Sequence, residues 1–253
     1  MTSEEFPALD CHAHIAPDVT RPQLDALGEV VVFAVTRSLD EAESVSKLAD
    51  PRLVWGCGVH PAVPDALSAF DERRFRRLLS RFALVGEVGL DRRAGGLDQQ
   101  ATVLRSIMQA VADEPVLLSL HSAGCADKLL DVLAERPHPG AILHWFLGDA
   151  ASLRRAVDFG CFFSVNGSMS KETLSRIPAD RMLPETDFPA TKRKGGGPAP
   201  GAVTHLEERV ASVLGETRES VRRRWYRNLR SIATASKALD RLPVNLFDLL
   251  LAA

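Results

Sequence analysis

Short runs of valine, leucine, isoleucine and phenylalanine recur along this chain, and between them apolar and charged residues alternate at helical spacing. The runs predict strands over residues 8–12, 30–36, 53–59, 83–90, 116–121, 141–146, 161–166 and 181–187. The segments between them, among them 65–82, 97–112, 127–136 and 150–159, predict amphipathic helices. Strand–helix alternation implies a parallel sheet. Eight such units predict an α/β fold closed into a (β/α)8 TIM-type barrel, with an open doubly wound sheet as the alternative.

The polar residues at the ends of these runs favour the barrel. His12, His14, Glu87, His121, His144 and Asp187 each stand at or just past the end of an apolar run, and barrels of this type build their active sites at the C-terminal ends of the strands. A buried neutral imidazole is costly to leave unpaired, so several behind strand-like segments imply a use. Alternate residues of a strand share a face, which lets His12 and His14 grip one ion. Together the six residues read as a divalent-metal ligand set. Mixed imidazole and carboxylate donors suit zinc, manganese or iron better than calcium, and the residues alone leave the ion open.

Composition agrees with a single-domain enzyme. At 253 residues and 45% hydrophobic, the chain is long enough for one barrel, expected over 1–234. The remaining tail, 235–253, carries Leu246, Phe247, Leu249, Leu250 and Leu251, an apolar patch that must dock on the barrel or on a partner. A formal net charge of -2 excludes general adhesion to nucleic acid or membrane, so an anionic substrate must meet local cations. Cys11, Cys57, Cys125 and Cys161 form no Cys-x-x-Cys pair and read as reduced thiols of a cytoplasmic protein. The acidic start, with no long apolar run behind it, predicts neither a signal peptide nor a membrane span. Residues 192–201 lack periodicity and read as a mobile loop at the rim, with a basic start at Lys192, Arg193 and Lys194. Helices are expected over 203–214 and 217–233. Arg222, Arg223, Arg224, Arg227 and Arg230 on the second read as a solvated outer face.

The motifs resemble those of the TatD-related deoxyribonucleases, a metal-dependent branch of the amidohydrolase-like barrels, from Asp10 to about Ile232. Asp10-Cys11-His12-Ala13-His14 is similar to the family's opening His-x-His, and Gly58-Val59-His60-Pro61 to its Gly-x-His-Pro. Gly86-Glu87-Val88-Gly89-Leu90-Asp91, Gln99-Gln100, His121-Ser122, His144-Trp145-Phe146 and Glu185-Thr186-Asp187-Phe188-Pro189 follow in the family's order. The resemblance implies two divalent metal ions, zinc, manganese or magnesium. His12, His14 and Asp187 would hold the first and His121 and His144 the second, with Glu87 between them. It implies that Asp187 is ligand and base at once, and that His60, Arg92, Arg93, Lys192 and Arg193 meet substrate phosphate. The implied partner is DNA, as single strands or ends, with no membrane.

The chain departs from the family's pattern at several places. Ala123 stands where an Arg is common, Trp145 and Leu147 replace small residues, Arg92 and Arg93 replace aromatic ones, and the tail beyond Ala233 has no counterpart. Diverged chains of this kind also resemble the nuclease-like components of bacterial antiphage cassettes of the Qat type, which implies protein partners and a defence role. A small-molecule ester or amide hydrolase of the same superfamily and a weakly catalytic binding subunit are the alternatives to a nuclease.

Overall fold

In the computed structural model, which describes residues 6–191 and 197–253, strands and helices alternate almost throughout. Their order is β1 (Ala8–His14), α1 (Arg21–Asp25), β2 (Val30–Val35), α2 (Leu39–Val45), β3 (Leu53–Trp55), α3 (Pro64–Ser68), α4 (Glu72–Leu79) and β4 (Leu84–Asp91). Next come α5 (Leu97–Val111), β5 (Leu117–Ala123), α6 (Ala126–Glu135), β6 (Ala141–His144), α7 (Ala150–Asp158), β7 (Phe162–Val165), α8 (Lys171–Arg176) and β8 (Met182–Pro184). Three helices close the chain: α9 (Thr204–Leu214), α10 (Arg218–Ala235) and α11 (Val244–Ala252). The strands are apolar because both faces are covered. Val30 to Val35 of β2 are buried at every position, as parallel strands between a barrel interior and an outer helix layer must be.

The fold is the expected (β/α)8 TIM-type barrel, with its regular ladders in two parallel sheets, β1-β2-β3 and β4-β5-β6-β7-β8. Irregular backbone joins the two sheets at both seams. At one, Gly56 bridges Leu84, Cys57 N donates to Leu84 O (3.0 Å) and Gly86 N to Cys57 O (3.1 Å). At the other, Asp187 N donates to His12 O (2.9 Å) and His14 N to Phe188 O (2.8 Å). β3 is shorter than its apolar run because residues 56–59 leave the ladder to cross between Thr36 and Glu87. A Cβ on Gly58 would lie 2.0 Å from Thr36 O and 2.5 Å from Glu87 N, so only glycine fits that crossing.

The expected helix over 65–82 is two helices. Asp71 interrupts it by accepting a hydrogen bond from Arg74 N (2.8 Å) as the cap of α4, a local bond that competes with helix continuation. The arginines of α10 are less solvated than expected. Arg222 forks onto buried Glu207 (Nε 2.6 Å, Nη2 2.9 Å) and donates to Phe6 O (2.9 Å), stitching α10 and α9 to the chain start. The tail forms α11, whose Leu246 and Leu250 are fully buried. Arg230 donates to Leu250 O (3.4 Å), Asn245 to Pro51 O (2.6 Å) and Arg241 to Leu79 O (2.8 Å), so this helix sits at the N-terminal ends of β3 and β4. The apolar residues that could have served a partner are thus largely spent on the chain's own barrel. Among the described residues no helix is long and apolar enough to cross a membrane.

Candidate metal centre

Two of the site's carriers stand on strand irregularities. Between Asp10 and Ala13, β1 holds one residue more than β2 opposite it, and between Val85 and Val88, β4 holds one more than β5. Such bulges re-aim side chains at barrel rims, and here they fall at His12 and Glu87. β1 also supplies His14, β5 supplies His121, β6 ends on His144, and the turn after β8 holds Asp187 at a φ of 46°.

The four histidines of the set converge on Glu87, which is 1% exposed. Its Oε2 lies 3.1 Å from His14 Nε2 and 3.6 Å from His12 Nε2, while its Oε1 lies 2.5 Å from His121 Nδ1 and 2.8 Å from His144 Nε2. Asp187 Oδ1 closes the first half, 3.7 Å from His12 Nε2 and 3.9 Å from His14 Nε2. His60, from the loop after β3, places Nε2 3.1 Å from Glu87 Oε2. The donor atoms of His12, His14 and Asp187 lie within 4.8 Å of one another, as do those of His12, Glu87 and His144 and those of His14, His60 and Glu87.

The donor set fits divalent cations. His12 Nε2 and Glu87 Oε2 are buried with no hydrogen-bond partner among the described residues, and an orphaned polar atom inside a protein is costly unless something absent here completes it. Burial, reinforced by His144 beside it, pushes the His12 pKa well down and keeps the ring neutral, as a ligand must be. Burial opposes ionisation of Glu87, but the neighbouring His144 and His121 outweigh it and hold the carboxyl well below the usual range. At His121 burial works against the cation, yet Glu87 and Asp91 raise the pKa to about 9. Without a metal, protons do the neutralising.

His60 differs from the other imidazoles. Its Nδ1 accepts from Ala62 N (2.9 Å), so the neutral ring carries its proton on Nε2, facing the cluster as a donor rather than as a ligand nitrogen. Arg92 and Arg93 both line the cavity, and Arg93 Nη2 also pairs with Asp91 Oδ2 at 3.1 Å. Lys192 and Arg193 lie outside the described residues.

A supporting layer of polar side chains stands behind the cluster. Ser119 Oγ stands 2.7 Å from His12 Nδ1, Asp91 Oδ2 3.2 Å from His121 Nε2, and Glu185 Oε2 3.7 Å from His144 Nδ1. Asp10 ties β1 to the Asp187 turn, accepting from Thr186 Oγ1 (2.6 Å), Gly201 N (2.8 Å), Thr186 N (2.9 Å) and His12 N (3.2 Å). Burial raises Asp10 to about 6 against those four donors, and raises Glu185 to about 7. The bond to Gly201 also anchors the described end of the loop expected to be mobile. Asp91 and Glu185 stand inside matched motifs and were findable; Ser119, in the middle of an apolar run, carried no signal.

A ring of imidazoles and carboxylates around buried, unpartnered donor atoms, at the C-terminal mouth of a (β/α)8 barrel, defines a barrel metallohydrolase. The profile of the family described as TatD related DNase matches residues 9–233. Over 211 residues the chain is 29% identical to an uncharacterized metal-dependent hydrolase TatD of Mycobacterium tuberculosis, spanning 72% of this chain and 79% of that one. Over 216 residues it is 27% identical to a 3'-5' ssDNA/RNA exonuclease TatD of Erwinia billingiae, spanning 76% and 83%. The crystal structure of the TatD homolog YJJV from Escherichia coli K12 superposes with a TM-score of 0.76 at 19% identity, over 88% of this chain and 96% of that one, which bears on the fold. The chain belongs to the TatD-related DNase family and is a metal-dependent hydrolase.

Proposed function

We propose that this chain is a two-cation nuclease acting on the ends of single-stranded DNA or RNA. In this reading His12, His14 and Asp187 would hold one ion and His121 and His144 the other, with the Glu87 carboxylate available to both. The observation that carries the reading is the division of Glu87, with Oε2 toward His12 and His14 and Oε1 toward His121 and His144. A carboxylate turned this way suits two centres rather than one. The imidazole-rich donor set favours zinc or manganese over magnesium.

When bound, paired cations supply positive charge at the phosphoryl oxygens and lower the pKa of water toward about 7. Asp187, whose Oδ1 lies beside both histidines of β1, would take the proton of the water that attacks phosphorus and return it to the departing sugar oxygen as the P–O bond breaks. His60 donates from Nε2 to a phosphoryl oxygen, a bond that strengthens as negative charge gathers there. Arg92 meets a neighbouring phosphate from the cavity wall. The exonuclease name of the Erwinia relative supports a strand end as the substrate.

The test uses end-labelled single-stranded oligonucleotides with added manganese or magnesium. Wild type is expected to shorten them, Asp187→Asn to lose about 10²–10⁴-fold in rate, as for removal of a general base, and Glu87→Gln to bind less metal by elemental analysis. Protein that carries no divalent ion after incubation, or an Asp187→Asn variant as fast as wild type, would overturn the proposal.

A further inference from the structure

The cavity containing the imidazole and carboxylate cluster is about 680 Å³, in the range of pockets that enclose a whole organic ligand rather than a single phosphate. Past His144 the chain forms part of its wall. Phe146 is 2% exposed and packs on Phe163, ring centroids 5.3 Å apart, and a Cβ on Gly148 would fall 2.3 Å from the Phe146 ring. With Phe146 pinned beneath the turn, Trp145 and Leu147 on either side of it line the cavity. Leu147 is 64% exposed, unusual for a large aliphatic residue. Trp145 is half-buried at a φ of 40°, a backbone conformation that bulky residues rarely adopt. Arg92 and Lys128 line the same cavity, and neither has an ion pair among the described residues.

We infer that Trp145 and Leu147 form a nucleobase-stacking subsite, which selects an unpaired strand end by the face of its base. The inference rests on the nuclease reading and deepens it by naming what the site recognises. An indole and an isobutyl group lining the cavity beside a phosphate-directed cluster bring aromatic and apolar area and, the single indole N–H aside, no donor pattern that tells one base from another. Recognition is therefore tolerant of sequence, as aromatic stacking is. A base inside a duplex has both faces occupied by its neighbours, whereas a frayed or single-stranded terminus presents one. The base lies on Trp145 and Leu147, its phosphate at the cluster, and the adjoining phosphate within reach of Arg92 or Lys128.

The experiment pairs a deletion in the protein with a deletion in the substrate. Two single-stranded oligothymidylates are compared with manganese present, one intact and one whose two 3′-terminal nucleotides are abasic. Trp145→Ala is expected to lower kcat/KM on the intact strand by about tenfold, the order of one lost base–aromatic stack. On the abasic strand it should have almost no further effect, because the two deletions remove the same contact. Trp145→Phe should retain most of the activity, and Leu147→Asp, at an exposed position, should reproduce the coupled loss without threatening the fold. As a readout free of turnover, a phosphorothioate oligothymidylate should quench tryptophan fluorescence in wild type and not in Trp145→Phe, since Trp55 and Trp225 are buried. Equal losses on both strands, no loss on either, or no quench overturns the stacking subsite while leaving the nuclease reading intact. Wild type that cleaves neither strand overturns both.

Discussion

A hydroxyl in the middle of a strand fixes which nitrogen of His12 faces the cavity. Ser119 Oγ lies 2.7 Å from Nδ1 and can accept a proton carried there, the tautomer that leaves Nε2, facing Glu87 and Asp187, free to bind a cation. Ser119→Ala is expected to weaken metal binding or activity by about 10–100-fold, the usual cost of losing a ligand's hydrogen-bond partner. Isothermal titration with zinc checks it, and Ser119→Thr should restore part of the loss. Far from the site, Asp50 shows the same dependence of a charge on its partners. Hydrogen bonds from Arg52 (Nε and Nη2, each 2.8 Å) outweigh its burial and hold its carboxyl below the ordinary value of 3.8. A depressed native pKa stabilises the fold fully above the unfolded value and loses that contribution as pH falls through the native one. Asp50→Asn should therefore cost about 1–3 kcal/mol near pH 7. The gap to wild type should narrow in urea melts run below about pH 4.

At the scale of elements, the tail separates stability from catalysis. α11 packs its Leu250 side chain completely at the end of the barrel opposite the site, while Leu251 beside it is 56% exposed. Leu250→Ala is expected to destabilise by about 2–5 kcal/mol and Leu251→Ala by no more than about 0.5 kcal/mol. Neither should change kcat/KM at temperatures where the variants stay folded, as denaturant melts and activity assays on the same samples would reveal. The strands and the cluster of strand-end imidazoles and carboxylates were legible in the sequence because burial on both faces leaves continuous apolar runs, and a polar residue closing such a run stands out. The extra residues in β1 and β4 were not, since a bulge shifts register against a neighbouring strand and leaves no mark in one strand's own composition. Arg222 looked like its exposed neighbours for a similar reason: its buried partner Glu207 lies on another helix. His60 was legible as a motif, but its role as a donor needed the position of Ala62 N.

The whole molecule carries a net charge of only -2, yet it concentrates Asp10, Glu87, Asp91, Glu185 and Asp187, all buried, at one end of the barrel with five histidines among them. Packing cannot make such a cluster favourable, because apolar surroundings penalise every one of those charges. Two things neutralise it: protons on rings such as His121, or cations. Cations bind the native cluster and have no comparable site in the unfolded chain, where β1, β4, β5, β6 and the Asp187 turn are far apart, so their binding free energy becomes folding free energy. One ion at a hundredfold excess over its Kd adds about 2.7 kcal/mol, which for a domain of this size corresponds to roughly 5–11 °C in Tm. Thermal unfolding in EDTA, followed by readdition of zinc or manganese, should show a fall and recovery of that order. Glu87→Gln should blunt the response because it removes the carboxylate that His12, His14, His121 and His144 all face. A Tm indifferent to chelator and to each ion in turn would mean that the cluster is held by protons alone, and the two-cation reading would fall with it.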